Sequence, residues 1–188
     1  MAIDFSQVKT ITIPEGSVTK ITDSNGNILW QSTSWHTIWE GSKTCSITKS
    51  GNDTPVISGA EENFAQTVAG TGLQPKIRIT FSYSNTNTDP NWTTGYFLNG
   101  LPNTNPSSSP LTITIYNMFD ASKLCSIVCK YVDADKKAHT VDVGLVKKRD
   151  TNNNRIIFNL KGFSSNDINS YSGNFTLTFT ITKIEQYY

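Results

Sequence analysis

The sequence predicts an all-β protein in which a small N-terminal β-meander precedes an antiparallel, jelly-roll-like β-sandwich. Apolar and polar residues alternate with a period of two in several segments, which is typical of strands with one buried face. Clusters of Gly, Pro, Asn and Asp separate these segments, and almost no stretch has helical apolar spacing. Strands between frequent turn signals favour a sandwich, and an immunoglobulin-type sandwich is the alternative.

The N-terminal segment, residues 1–31, is predicted to form a module of its own. Pro14-Glu15-Gly16 separates two runs of Thr, Ile and Val, and Asn25-Gly26 favours a tight hairpin turn. We therefore expect three short strands here. A polar connector, Gln31–Ser34, leads to a sandwich domain at residues 35–188.

This segment also carries a resemblance to a known class of proteins. Its motifs are IPEG at Ile13–Gly16, VTKITD at Val18–Asp23, SNGN at Ser24–Asn27 and ILW at Ile28–Trp30. Together they resemble N-terminal segments of structural proteins of tailed bacteriophages and prophages, where they precede otherwise dissimilar domains. The resemblance implies a virion component, made in the cytoplasm of the bacterial host, whose N-terminal segment docks onto other virion proteins or a second copy. The residues expected at this assembly interface are Ile11, Ile13, Val18, Ile21, Ile28 and Trp30.

The second domain contains most of the predicted strands. Trp35 and Trp39 are four residues apart, so in a regular strand they would share one face and pack in the core. Residues Ala60–Ala69 come closest to a helical turn, which Val68 and the following glycines cut short. Strands are predicted at Trp35–Glu40, Thr44–Lys49, Lys76–Tyr83, Leu111–Ile115, Cys125–Tyr131, Val141–Leu145, Arg155–Leu160 and Phe175–Thr182.

The longest irregular stretch, Ser84–Pro110, is interrupted by a possible strand at Tyr96–Leu98 and holds the candidate ligand-binding residues. It combines the flat rings of Trp92 and Tyr96 with the side chains of Asp89 and Asn91. Flat apolar faces beside amide and carboxylate groups suit a sugar ring or a protein partner. The alternative is that Trp92 folds back to close the end of the sandwich and that the Asn and Pro residues only form turns.

Composition and motifs exclude several other functions. A net charge of +1 with only 16% charged residues gives no electrostatic attraction for nucleic acid. No apolar run is long enough to cross a membrane. No cofactor motif is present, and the acidic loop at Asp23 lacks the carboxylate at position twelve that a calcium loop needs, so no metal is expected. The two histidines lie in no nucleophile motif, and the protein is predicted not to be an enzyme.

The three cysteines fit a cytoplasmic site of synthesis. Cys125 and Cys129 are four residues apart on one predicted strand, which places their Cα atoms about 13 Å apart, beyond the reach of a disulfide. Buried free thiols are expected, and a bridge from Cys45 to one of the other two is the alternative.

The sequence is compatible with three functions. The first is a non-catalytic virion protein, with a tail-fibre, baseplate or receptor-binding role ahead of head decoration, present in several symmetric copies. It would contact a host-surface glycan or protein, or stabilise the particle. The second is a free-standing carbohydrate-binding module, and the third is a polysaccharide hydrolase, which needs a pair of carboxylates in a groove.

Overall fold

A computed structural model gives the fold of most of the chain. The residues that it describes are 11–13, 16–18, 20–23, 25, 28–31, 34–68, 74–98, 101–102, 109–115, 122–165 and 168–188. Fifteen strands and one short 3-10 helix, Ile168–Ser170, are present among them. The strands are β1 Ile11–Ile13, β2 Gly16–Val18, β3 Lys20–Thr22, β4 Ile28–Gln31, β5 Trp35–Lys49, β6 Val56–Ser58, β7 Glu61–Gln66, β8 Lys76–Asn85, β9 Trp92–Leu98, β10 Leu101–Pro102, β11 Leu111–Thr114, β12 Ser122–Val132, β13 Ala138–Asp150, β14 Arg155–Ser164 and β15 Phe175–Tyr187.

The N-terminal segment forms two separate hairpins. β1 pairs with β2, β3 pairs with β4, and none of these strands joins either sheet of the sandwich in the part of the chain that the structure describes. Three strands were expected, and the described residues of the segment form four. Val18 and Ile21 are half-buried. The side chains of Ile11, Ile13, Ile28 and Trp30 lie outside the described residues.

The remaining strands form two antiparallel sheets. One has the order β10-β9-β12-β13-β14-β7 and the other the order β11-β8-β15-β5-β6. Their inner faces carry a continuous core that includes Ile47, Ile79, Leu145, Phe158 and Phe179, each at most 1% exposed. This arrangement confirms the predicted β-sandwich, since each alternating strand supplies one face to the shared core.

The connections between the two sheets resemble those of a jelly roll. The first and last long strands, β5 and β15, are neighbours, and the chain crosses from sheet to sheet on passing through β7, β8, β9, β11 and β12. The meander β12–β13–β14 is an addition that keeps three consecutive strands in one sheet.

The long strand β5 defines two opposite ends of the sandwich. At one end Trp35 pairs with Tyr187, and the amide of Ser34 donates a hydrogen bond of 2.7 Å to the carbonyl of Tyr188. We call this end, where the N-terminal segment enters, the anchor pole. At the other end, the distal pole, Lys49 pairs with Phe175. Fifteen residues of β5 separate the poles by about 45 Å.

A β-bulge in β5 corrects the expectation that Trp35 and Trp39 share a face. Trp39 pairs with the fully buried Ile184, whereas Trp35 pairs with Tyr187, which is exposed. The register shifts between these pairs, so that Ile38 has no opposite residue on β15. One extra residue reverses the alternation of side chains. Trp39 therefore faces the core, and Trp35 lies on the outer surface.

Two further segments contain more strand than the sequence indicated. The segment Ala60–Ala69 is closest to a helical pattern, but among its described residues Glu61–Gln66 is β7, an edge strand that pairs with β14. The stretch Ser84–Pro110 includes the end of β8, all of β9 and the short β10, so the possible strand at Tyr96–Leu98 is confirmed as part of β9. In both places pairing with a distant strand outweighs the local sequence signal.

Candidate functional site

A small polar cleft lies at the distal pole, between the β8–β9 loop, the end of β12 and the β14–β15 loop. The cleft has a volume of about 210 Å³, and most of its lining atoms are polar. We call it the distal cleft. Its lining residues are Asp89, Asn91, Tyr131, Ser170, Tyr171 and Ser172.

The β8–β9 loop is held by a series of side-chain turns with a spacing of two residues. The amide of Asn87 donates to Oδ1 of Asn85 (2.9 Å), the amide of Asp89 to Oδ1 of Asn87 (3.0 Å), and the amide of Asn91 to Oδ1 of Asp89 (2.9 Å). Asn and Asp form such turns because their short side chains reach the backbone two residues on. The same contacts place Asp89 and Asn91 together at the rim of the cleft.

Trp92 is part of the core and not of the binding surface. It is 4% exposed, and its ring packs against Tyr131 and Phe175 at centroid distances of 5.6 and 5.2 Å. Its Nε1 donates a hydrogen bond of 2.8 Å to the carbonyl of Ser172. The proposed stacking role of Trp92 is thereby corrected: neither ring face is open to a ligand, and the residue closes the end of the sandwich.

Tyr96 lies away from the distal cleft. It is half-buried on β9 and packs across the sandwich against Tyr83 on β8, with ring centroids 4.6 Å apart. Burial, together with a hydrogen bond to Tyr83, raises the pKa of Tyr96 to about 12. The structure thus brings together two of the four predicted ligand-binding residues, Asp89 and Asn91, and separates the two aromatic ones from them.

Four residues behind the cleft were not identified from the sequence. Nε2 of His139, which is fully buried, lies 2.8 Å from Oδ2 of Asp133, and the Tyr171 hydroxyl donates to the same oxygen at 3.3 Å. The Tyr171 ring packs on His139 at 3.9 Å and on Tyr131 at 5.0 Å. The hydrogen bond with His139 is the main reason that the pKa of Asp133 lies below its usual value. This cluster fixes the two tyrosines that line the cleft.

The lining of the distal cleft consists mainly of groups that donate or accept hydrogen bonds. Among the described residues that line it, Asp89 is the only acid and there is no base. The acids Glu61 and Glu62 lie on β7 and are paired with Lys43 at 2.8 Å and Lys161 at 3.6 Å. Within the described parts of the chain, no group of three His, Cys, Asp or Glu side chains could hold a metal ion.

A second cleft, of about 370 Å³, lies at the anchor pole. Arg155 lines it, together with Thr37 and Thr67. Nε of Arg155 is buried without an acceptor among the described residues, and so is Nε2 of the neighbouring Gln186.

Comparison with known proteins gives no relative for this chain. No protein-family model, no curated protein and no solved structure matches it. Across the described ranges, the chain contains no helix with the length and apolar character needed to span a membrane.

Proposed function

We propose that the protein is a non-catalytic structural component of a tailed-bacteriophage particle, anchored by its N-terminal segment. The observation that carries this proposal is the separation of that segment from the sandwich. The hairpins β1–β2 and β3–β4 pair only within themselves among the described residues, so they are available to complete their burial on another polypeptide. The resemblance of the same segment to phage structural proteins supports the proposal.

The geometry of the sandwich supports display at a surface. The N-terminal segment enters at the anchor pole, and the loops of the distal cleft lie at the other end of β5, about 45 Å away. A tail-fibre, baseplate or receptor-binding role requires such a separation, because the anchor pole would be attached to the particle while the distal pole contacts the host surface. Head decoration is the second choice.

The outer face of the five-stranded sheet is suited to close neighbours. It carries rows of uncharged hydroxyls, with Thr44 and Thr180 in contact at 2.8 Å and Thr48 and Thr176 at 3.1 Å. This part of the face produces no like-charge repulsion between adjacent copies, whereas the charged Arg78 and Glu185 lie towards the anchor pole. Several symmetric copies per particle are expected on this proposal.

Deletion of residues 1–31 from the gene in its phage or prophage is the direct test. Purified particles should lack the shortened protein, while the same protein expressed alone should keep the β-rich circular dichroism of the sandwich. Asp89→Asn is the matched control, because it changes only the distal cleft and should be incorporated normally. Normal incorporation of the folded deletion variant would contradict the proposal.

A free-standing carbohydrate-binding module is the second candidate, and the distal cleft is the observation that favours it. Such a module needs neither a particle nor a second copy. Sedimentation of the full chain shows whether it is a monomer or an oligomer. A monomer that binds sugar and is absent from purified particles fits the carbohydrate-binding module and not the virion component.

A further inference from the structure

The lining of the distal cleft restricts the charge of its occupant. Asp89 supplies the only formal charge among the lining residues, and it is negative. A sialic or uronic acid, or a phosphate, would place its own negative charge beside this carboxylate with no cation in the lining to compensate. The remaining groups are two serine hydroxyls, an amide and two phenols, which hydrogen-bond to neutral hydroxyls.

One oxygen of Asp89 is free to accept a hydrogen bond from a ligand. Oδ1 already accepts from the amide and from Nδ2 of Asn91, at 2.9 and 3.0 Å. Oδ2 has no partner among the described residues. Because Oδ1 holds the carboxylate in place, Oδ2 has a fixed direction, and a fixed acceptor loses little entropy on binding.

The aromatic wall of the cleft is also fixed before a ligand arrives. Tyr171 is held by its hydroxyl on Asp133 and by its ring on the buried His139, while Tyr131 packs on Trp92. Each ring therefore keeps its orientation. The cleft volume of about 210 Å³ is below the roughly 300–1,000 Å³ of sites for drug-sized ligands, which limits the occupant to a single ring.

We propose that the distal cleft binds one uncharged sugar unit, whose hydroxyl donates to Oδ2 of Asp89 beside the Tyr131 and Tyr171 rings. The sugar would be a terminal or side-branch unit of a surface glycan, since longer chains do not fit inside. This inference names the ligand that the distal pole would contact. Sugar binding itself does not depend on the proposed function, but its use by a phage particle at the host surface rests on that function.

The test uses the full chain and saturation-transfer NMR with single sugars. The probes are the methyl glycosides of glucose, galactose, mannose and N-acetylglucosamine, with glucuronic acid, sialic acid and glucosamine for comparison. At least one neutral glycoside should bind with a Kd of about 1 mM, and the two acids should not bind. Absence of binding across the neutral probes, or preference for an acid or for glucosamine, would overturn the proposal.

Two variants locate the binding. Asp89→Asn keeps Oδ1 but replaces the free acceptor with a donor, so the Kd should rise by about tenfold. Tyr96→Phe removes a hydroxyl from β9 away from the cleft and should leave the Kd unchanged. Equal Kd values for Asp89→Asn and the unaltered chain would place the sugar elsewhere. Particle incorporation is measured separately, so failure of sugar binding and failure of anchoring are distinguishable.

Discussion

Arg78 and Glu185 form a bidentate ion pair on the outer face of the five-stranded sheet. Nε of Arg78 lies 2.7 Å from Oε2 of Glu185, and its NH2 nitrogen lies 2.9 Å from Oε1. The two residues are direct neighbours on β8 and β15, and the guanidinium lies over the Trp35 ring at 4.4 Å. These hydrogen bonds are the main reason that the pKa of Glu185 falls from 4.5 to about 2.

Replacement of Arg78 should destabilise the protein in a pH-dependent way. Because the pKa of Glu185 is lower in the folded chain, the pair stabilises it fully above about pH 4.5, and this stabilisation is lost as the pH falls towards 2. Arg78→Met should therefore lower the free energy of unfolding at neutral pH, and should lower it less at pH 3. Urea denaturation at several pH values measures both quantities.

The matched control for this variant is Lys43→Met. Lys43 and Glu61 are also an ion pair, at 2.8 Å, but both side chains are more than a third exposed. Loss of this ion pair in Lys43→Met should lower the free energy of unfolding by at most about 1 kcal/mol. A destabilisation by Arg78→Met that is the same at pH 7 and pH 3 would show that the pair does not set the pKa of Glu185.

Trp92 should prove necessary for stability. Trp92→Ala removes a buried ring from the end of the core and should lower the free energy of unfolding by about 3–5 kcal/mol. Trp92→Phe keeps most of the ring packing and loses the hydrogen bond to Ser172, so its cost should be about 1–2 kcal/mol. Chemical denaturation measures both. A Trp92→Ala variant as stable as the unaltered chain would mean that the ring is not buried.

Much of the fold was predictable because the alternation of apolar and polar residues along a strand is a local signal. Lys76–Tyr83 and Phe175–Thr182 show it clearly, and both are strands. The faces of Trp35 and Trp39 were not predictable, because a bulge depends on how β5 pairs with a strand more than 140 residues later.

The candidate site was predictable only where one loop builds it. Asp89 and Asn91 were identified because the Asn and Asp residues of the β8–β9 loop are close in sequence. Tyr171 comes from a different loop, and nothing local links it to Asp133 or His139. The burial of Trp92 matches the alternative in which it closes the end of the sandwich, but its partners Phe175 and Ser172, about 80 residues away, could not be foreseen.

The three cysteines should be free and slow to react in the folded protein. All are buried, and burial raises the pKa of Cys125 to about 12 and the pKa of Cys45 and Cys129 to about 11. Since the thiolate is the reactive form, a disulfide reagent at pH 8 should modify none of them quickly. In guanidinium chloride without a reducing agent, three thiols should be titrated.

An added cysteine at an exposed position provides the control for thiol accessibility. Ser58→Cys places a thiol on the exposed strand β6, and it should react at once in the folded protein. A titration of fewer than three thiols in the unfolded natural sequence would indicate a disulfide from Cys45, the alternative that the structure does not contain.

Gly144 should tolerate no side chain, because β12 lies unusually close to it. A Cβ at this position would be 2.1 Å from the carbonyl oxygen of Cys125 and 2.4 Å from Cβ of Ser126, the residue of β12 that pairs with Gly144. Gly144→Ala must push two central strands apart and should lower the free energy of unfolding by about 3 kcal/mol.

Gly162→Ala on β14 is the control, since its Cβ would be 3.1 Å from the exposed, movable Ile57 side chain. It should cost less than about 1 kcal/mol. Equal thermal unfolding midpoints for the two variants would contradict the observed pairing of β12 with β13.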